Sequence, residues 1–180
     1  MSSAASPAAS LNDSNGPEWR LFVRVRFGML VLSLILISAG LHGGYDPAVG
    51  TWKLNLERSK FSPGYPVPKS QTCQIEASGD DGLKFTADTV EANGKTTHAE
   101  YTAKLDGADY PVKGDPNRDA VALKRNKPFL TDGVSKKAGT ATGTFTIMIW
   151  ANGLRMTITS KETRDGKTLE NIAVYTKIVQ

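Results

Sequence analysis

Asp81-Gly-Leu-Lys-Phe-Thr-Ala-Asp-Thr-Val-Glu-Ala-Asn-Gly-Lys-Thr-Thr-His-Ala-Glu-Tyr-Thr-Ala-Lys-Leu-Asp-Gly107 holds two runs of alternating apolar and polar residues, each bounded by an Asp-Gly or Asn-Gly pair. A period of two puts Leu83, Phe85 and Ala87 on one face of an extended chain, and Ala99, Tyr101, Ala103 and Leu105 on one face of the next. Lys84, Thr86, His98, Glu100 and Lys104 fall opposite them. Asp-Gly and Asn-Gly supply the positive φ angles that tight hairpin turns demand, so the stretch reads as consecutive antiparallel strands. The same punctuation recurs at Asp132-Gly133, Asn152-Gly153 and Asp165-Gly166.

Extended outward, this reading gives strands at 50–56, 69–77, 82–90, 95–105, 109–113, 119–125, 129–136, 140–150, 153–161 and 168–178, and no convincing helix. Trp52 with Leu54, Val121 with Leu123, and Leu154 with Met156 and Ile158 continue the apolar face. One wet and one dry face over so many strands requires the dry face to close on itself. The expected fold is therefore all-β, a single antiparallel up-and-down β-barrel of about eight to ten strands, with a sandwich as runner-up. Between the first two strands, Phe61-Ser-Pro-Gly-Tyr-Pro-Val-Pro68 has too many prolines for a helix and is expected to fold over one end of the sheet. Lys113-Gly-Asp-Pro-Asn-Arg118 is a second break with strong turn chemistry.

The barrel is assigned to residues 46–180. Ahead of it, the charge-free run Phe27 to Gly40 follows Arg20, Arg24 and Arg26 and ends in small residues, the pattern of a secretory signal. Its length of about 14 residues falls short of the ~20 that span a bilayer, which makes a retained signal-anchor helix the second reading. Residues 1–26 read as a disordered basic extension. The protein is thus expected outside the cytoplasm, periplasmic or extracellular, touching the inner membrane only through 27–41 if the segment is uncleaved.

The chain carries 22 basic and 18 acidic side chains, a net charge of +4, scattered along the sequence and not gathered with aromatics into a stripe. That gives nucleic-acid binding little support. Cys73 is the only cysteine, so the barrel must hold by packing, and the thiol alternates onto the face of Ile75 and Ala77 as a small buried hydrophobe would.

Gly50-Thr-Trp-Lys-Leu54 at the start of a small β-meander resembles the Gly-x-Trp opening of the calycins, the lipocalins, fatty-acid-binding proteins and avidins. Gly50 to Gly64, with Glu100-Tyr-Thr-Ala-Lys104, Asp109-Tyr-Pro-Val112, Gly114-Asp-Pro116, Ala120-Val-Ala-Leu-Lys124 and Val174-Tyr175, is similar to exported bacterial lipocalin-like proteins of unassigned function. The resemblance implies a container, with Trp52 packed across its closed end and Gly50 as a structural partner there. It implies no content. The helix pair of fatty-acid-binding proteins falls where this chain has its prolines, and their arginine and tyrosine carboxylate clamp maps onto no motif here.

Catalytic constellations are not found. His42 and His98 are far apart in sequence, Ser59 and Ser62 beside Lys60 suit a loop, and Asp80, Asp81, Asp106, Asp109 and Asp115 are explained as turn residues. No enzyme, metal or cofactor is expected. Two classes compete. The first is a carrier or sensor for a hydrophobic small molecule, lined by Phe85, Ala99, Tyr101, Ala103, Tyr110, Trp150, Met156 and Tyr175, with Ala87, Ala141 and Gly143 leaving volume. The second is a solid-core interaction module, suggested by Phe145-Thr-Ile-Met-Ile-Trp150, which is apolar on both faces. Oligomeric state is not legible.

Overall fold

A computed structural model describes residues 46–164 and 166–179; the expected signal segment and extension lie outside them. The chain forms β1 (Gly50–Leu54), β2 (Ser70–Ser78), β3 (Gly82–Val90), β4 (Thr96–Lys104), β5 (Asp106–Lys113), β6 (Ala120–Lys127), β7 (Leu130–Lys137), β8 (Thr140–Ile149), β9 (Arg155–Arg164) and β10 (Lys167–Ile178). Each strand pairs antiparallel with its sequence neighbours, and β1 also pairs with β10, closing the barrel. Closure gives every strand a neighbour on both sides, with the β4–β5 seam the shortest at two register pairs, Glu100–Lys113 and Tyr101–Val112, and this is how a sheet with one dry face avoids edge-to-edge association. The barrel has two ends. The β2–β3, β4–β5, β6–β7 and β8–β9 turns lie at one, and the long connector from 55 to 69 and the β5–β6 loop lie at the other.

Four of the six Asx-Gly pairs carry a glycine at positive φ, namely Gly94, Gly107, Gly153 and Gly166. Two pairs do otherwise. Asp81-Gly82 only closes its turn, where the positive φ belongs to Gly79. Asp132-Gly133 is no turn at all: it lies inside β7, and a Cβ on Gly133 would run into the ring of Phe145 on β8. The glycine is there to let that ring lie flat across the strand. The hairpin between β7 and β8 turns instead on Ala138 and Gly139, both at positive φ, and Ala138 has no sequence signature for that conformation. Gly107 sits at a shift of register between β5 and β6, so β5 begins at Asp106 and not at 109.

The connector contains one short 3₁₀ helix, Leu56–Arg58, capped by the Asn55 side chain, which accepts from the Arg58 amide. Ser59 and Ser62 then tie the connector to β10. The Val174 amide donates to Ser59 Oγ at 2.9 Å, and Ser62 Oγ both donates to the Glu170 carbonyl at 2.7 Å and accepts from its amide at 2.9 Å. The two serines are structural straps, which explains them without a Ser-Lys pair.

At the turn-only end the interior is filled. Trp52 is fully buried and donates its indole N–H to the Ala48 carbonyl at 2.8 Å, with Cys73, Ile75, Leu83, Ile149 and Met156 packed around it. Gly50 makes room for the stem of Lys177, whose ammonium lies 5.0 Å from the Trp52 ring centre. Two expectations from alternation are corrected. Leu154 is 46 % exposed in the β8–β9 turn. Ala141 is exposed because the register slips between Ser135 and Lys136 opposite it. Met148 on β8 and Trp150 just beyond it point outward and are half-exposed.

Candidate functional site

From the filled end toward the other, inward side chains change from large and apolar to small and then to polar. On β3 and β4 the cross-strand pairs run Leu83–Ala103, Phe85–Tyr101, Ala87–Ala99 and Thr89–Thr97. The Phe85 and Tyr101 rings stack with centres 4.8 Å apart and planes at 16°, forming a floor. Above it the two alanine side chains cannot fill the barrel's width, and space remains. A cavity of about 290 Å³ occupies it, opening beside the proline-bearing connector and the β5–β6 loop. That is the lower end of the ~300–1,000 Å³ typical of ligand sites, enough for one small molecule.

The lower wall is apolar: Phe85, Ala87, Phe145, Ile147, Ile158 and Ala173. Polar groups gather higher up. Tyr175 donates its hydroxyl to Gln71 Oε1 at 2.5 Å, and Gln71 donates its amide to Thr89 Oγ1 at 2.7 Å, so β10, β2 and β3 share one hydrogen-bonded chain. Asn171 accepts from the Ser62 amide at 2.9 Å, fixing the connector over the mouth, where the Phe61 and Tyr65 rings stack 5.4 Å apart. Arg118, in the β5–β6 loop, donates from Nε to Asp115 Oδ2 at 2.8 Å and holds its guanidinium carbon 5.9 Å from the Tyr101 ring centre.

Burial pushes the Tyr101 hydroxyl up to about 12, with the Arg118 charge pulling the other way. Burial also raises Tyr175 well above the ordinary phenol value and Cys73 to about 12. At neutral pH both phenols are therefore neutral hydroxyls, and the Cys73 thiol, packed at the filled end beside Trp52 and away from the cavity, stays protonated. Among the described residues no three His, Cys, Asp or Glu side chains are grouped to hold a metal ion. His98 lies outside the barrel, exposed and paired with Asp88 at 2.7 Å.

Of the lining expected from sequence, Phe85, Ala99, Tyr101 and Tyr175 come together around the cavity. The other four lie elsewhere. Ala103 is 1 % exposed in the packed cluster of Val112, Val121 and Leu123, below the floor. Met156 belongs to the filled end around Trp52 and borders a separate small void of about 30 Å³, far short of the space a ligand needs. Tyr110 packs on the edge of the Val121 cluster and donates its hydroxyl outward to Asp106 at 2.9 Å. Trp150 is 44 % exposed, donating to Thr157 at 3.0 Å beneath the Arg155 guanidinium. The sequence reading missed Gln71, Ser160 and Asn171, although each shares the inward parity of its strand with Cys73, Ile158 and Ala173. Arg118 had no such signal, because a loop has no period.

No protein-family model matches the chain, and no curated protein matches it. Solved structures do. The fluorescent protein UnaG, in the form of a point mutant, superposes with a TM-score of 0.52 at 15 % identity over 74 % of this chain and 98 % of that one. Zebrafish ileal bile acid-binding protein complexed with cholic acid gives 0.47 at 13 % over 73 % and 99 %. The amine-binding protein of Rhodnius prolixus in its tryptamine complex gives 0.42 at 12 % over 76 % and 67 %. The first of these likenesses establishes the shared barrel fold.

Proposed function

We propose that the barrel is a container for one small apolar or amphipathic molecule, which it holds without transforming, in a protein exported from the cytoplasm. The observation that carries the reading is the mouth-side cavity, with an apolar lower wall and a few oriented polar groups above it, the composition of a binding site more than of a packed interior. A solid barrel working through its surface would need that volume filled, as the other end is filled by Trp52 and Met156. Export rests on the sequence of residues 20–40 alone. Native mass spectrometry of the chain purified from its own cell envelope tests both halves. The expected spectrum shows a chain cleaved near Ser38 to Gly40, partly loaded with one non-covalent small molecule. An unloaded chain that also takes up no hydrophobic probe would overturn the container, and an intact Met1 on a membrane-bound chain would replace cleavage by anchoring.

A further inference from the structure

Arg118 is the charged side chain whose field reaches the buried Tyr101 and Tyr175 hydroxyls, in a mouth also lined by Glu91, Asp115, Lys161 and Glu162. Of the neighbours that shift the Tyr101 and Tyr175 hydroxyls, which are Cys73, Tyr65 and Arg118, only Arg118 is charged at neutral pH. The other ionisable side chains at the mouth are engaged. Glu91 accepts from the Thr97 hydroxyl at 3.0 Å, Glu162 accepts from Asn171 at 3.5 Å, and Lys161 pairs with Glu170 at 3.0 Å on the strand exterior. Asp115 is used on the Arg118 Nε. That single bond orients the planar guanidinium and leaves Nη1 and Nη2 without a hydrogen bond to any described residue. The Arg118 side chain is only 23 % exposed, so bulk water competes for those two nitrogens less than it would at the surface. Two free parallel donors on a held plane are the complement of a carboxylate. Asp115 offsets part of the charge, which disfavours a doubly charged phosphate relative to a monoanion.

We infer that the cavity selects amphiphiles carrying a carboxylate, taken up by the two terminal nitrogens of Arg118 beside the Tyr101 ring, with the apolar tail running down toward Phe85, Ile147 and Ile158. This rests on the container reading above. The limited volume confines the tail to a short chain or a single ring system.

The test is displacement of the neutral probe N-phenyl-1-naphthylamine from the full-length chain by octanoate and, separately, by 1-octanol, which share a tail and differ in the head group. Octanoate is expected to displace the probe at a concentration about tenfold or more below that of octanol, the size of a charge-assisted hydrogen-bond pair. In Arg118→Gln the two should become equal within about twofold while probe binding itself persists; in Arg118→Lys, which keeps the charge and loses the fork, a smaller preference should remain. Any background uptake by residues 27–40 is common to all three proteins. Equal displacement by octanoate and octanol in the unaltered chain, or a preference that survives in Arg118→Gln, overturns the carboxylate assignment and leaves the container standing. Failure of the unaltered chain to bind the probe or either competitor overturns the container, and the assignment with it. Loss of probe binding in Arg118→Gln with an unchanged melting temperature overturns the division of labour, since the apolar wall alone would then not hold a tail.

Discussion

Two alanines on one strand face the same way and have opposite expected responses to the same change. Ala99 borders the cavity beside Ala87, whereas Ala103 is closed in by Val121 and Leu123. Ala99→Leu should leave stability nearly unchanged and remove probe uptake, and Ala103→Leu should cost about 1–3 kcal/mol through overpacking. Urea unfolding together with probe titration separates the two; equal destabilisation of both variants would mean that the Ala99 site is packed. The tryptophans divide similarly. Trp52→Ala removes a fully buried ring and should cost about 3–5 kcal/mol. Trp150→Ala removes an exposed ring with one hydrogen bond and one cation contact, and should cost about 1 kcal/mol or less. The sequence does not separate them, since Phe145 to Trp150 is apolar on both faces and the lining expected from it includes Trp150; in the structure Ile149 is buried and Trp150, one residue further, points out.

At the scale of elements, the strands were legible because alternation and turn chemistry agree along most of the chain, and the first disagreement is Asp132-Gly133. There the dipeptide that marks a turn elsewhere serves a ring contact between β7 and β8, and only the position of Phe145 across the sheet reveals it. The Ala138 turn is the converse case, a turn made by tertiary closure without the residue that would announce it. The connector was legible as non-helical from its prolines, but its attachment was not, since Ser62 and Asn171 are more than a hundred residues apart. Asn171→Ala would strand the Ser62 amide and is expected to cost about 1–3 kcal/mol, with hydrogen exchange rising in residues 59–66. Unchanged exchange there would show that the serine straps alone hold the mouth.

The whole molecule should be alkali-sensitive in a defined window. Cys73 and Tyr101 ionise near their ordinary values of 9.0 and 10.0 when unfolded and near 12 when folded, both because burial disfavours the anion. Between those limits the folded state keeps protons that the unfolded chain releases, so unfolding becomes easier as pH rises. The stabilisation is intact below about pH 9 and is lost as pH passes through about 12, a fall on the order of a few kcal/mol. Urea midpoints at pH 8, 10 and 11.5 should decline in that order, and a flat series would mean that the thiol and phenol are solvated. The barrel's two-ended construction, solid around Trp52 and open above Phe85 and Tyr101, is the central claim, and binding stoichiometry probes it most directly. Titration of N-phenyl-1-naphthylamine should saturate at one molecule per chain and vanish in Ala99→Leu; absence of saturable uptake, or uptake that survives that leucine, would contradict it.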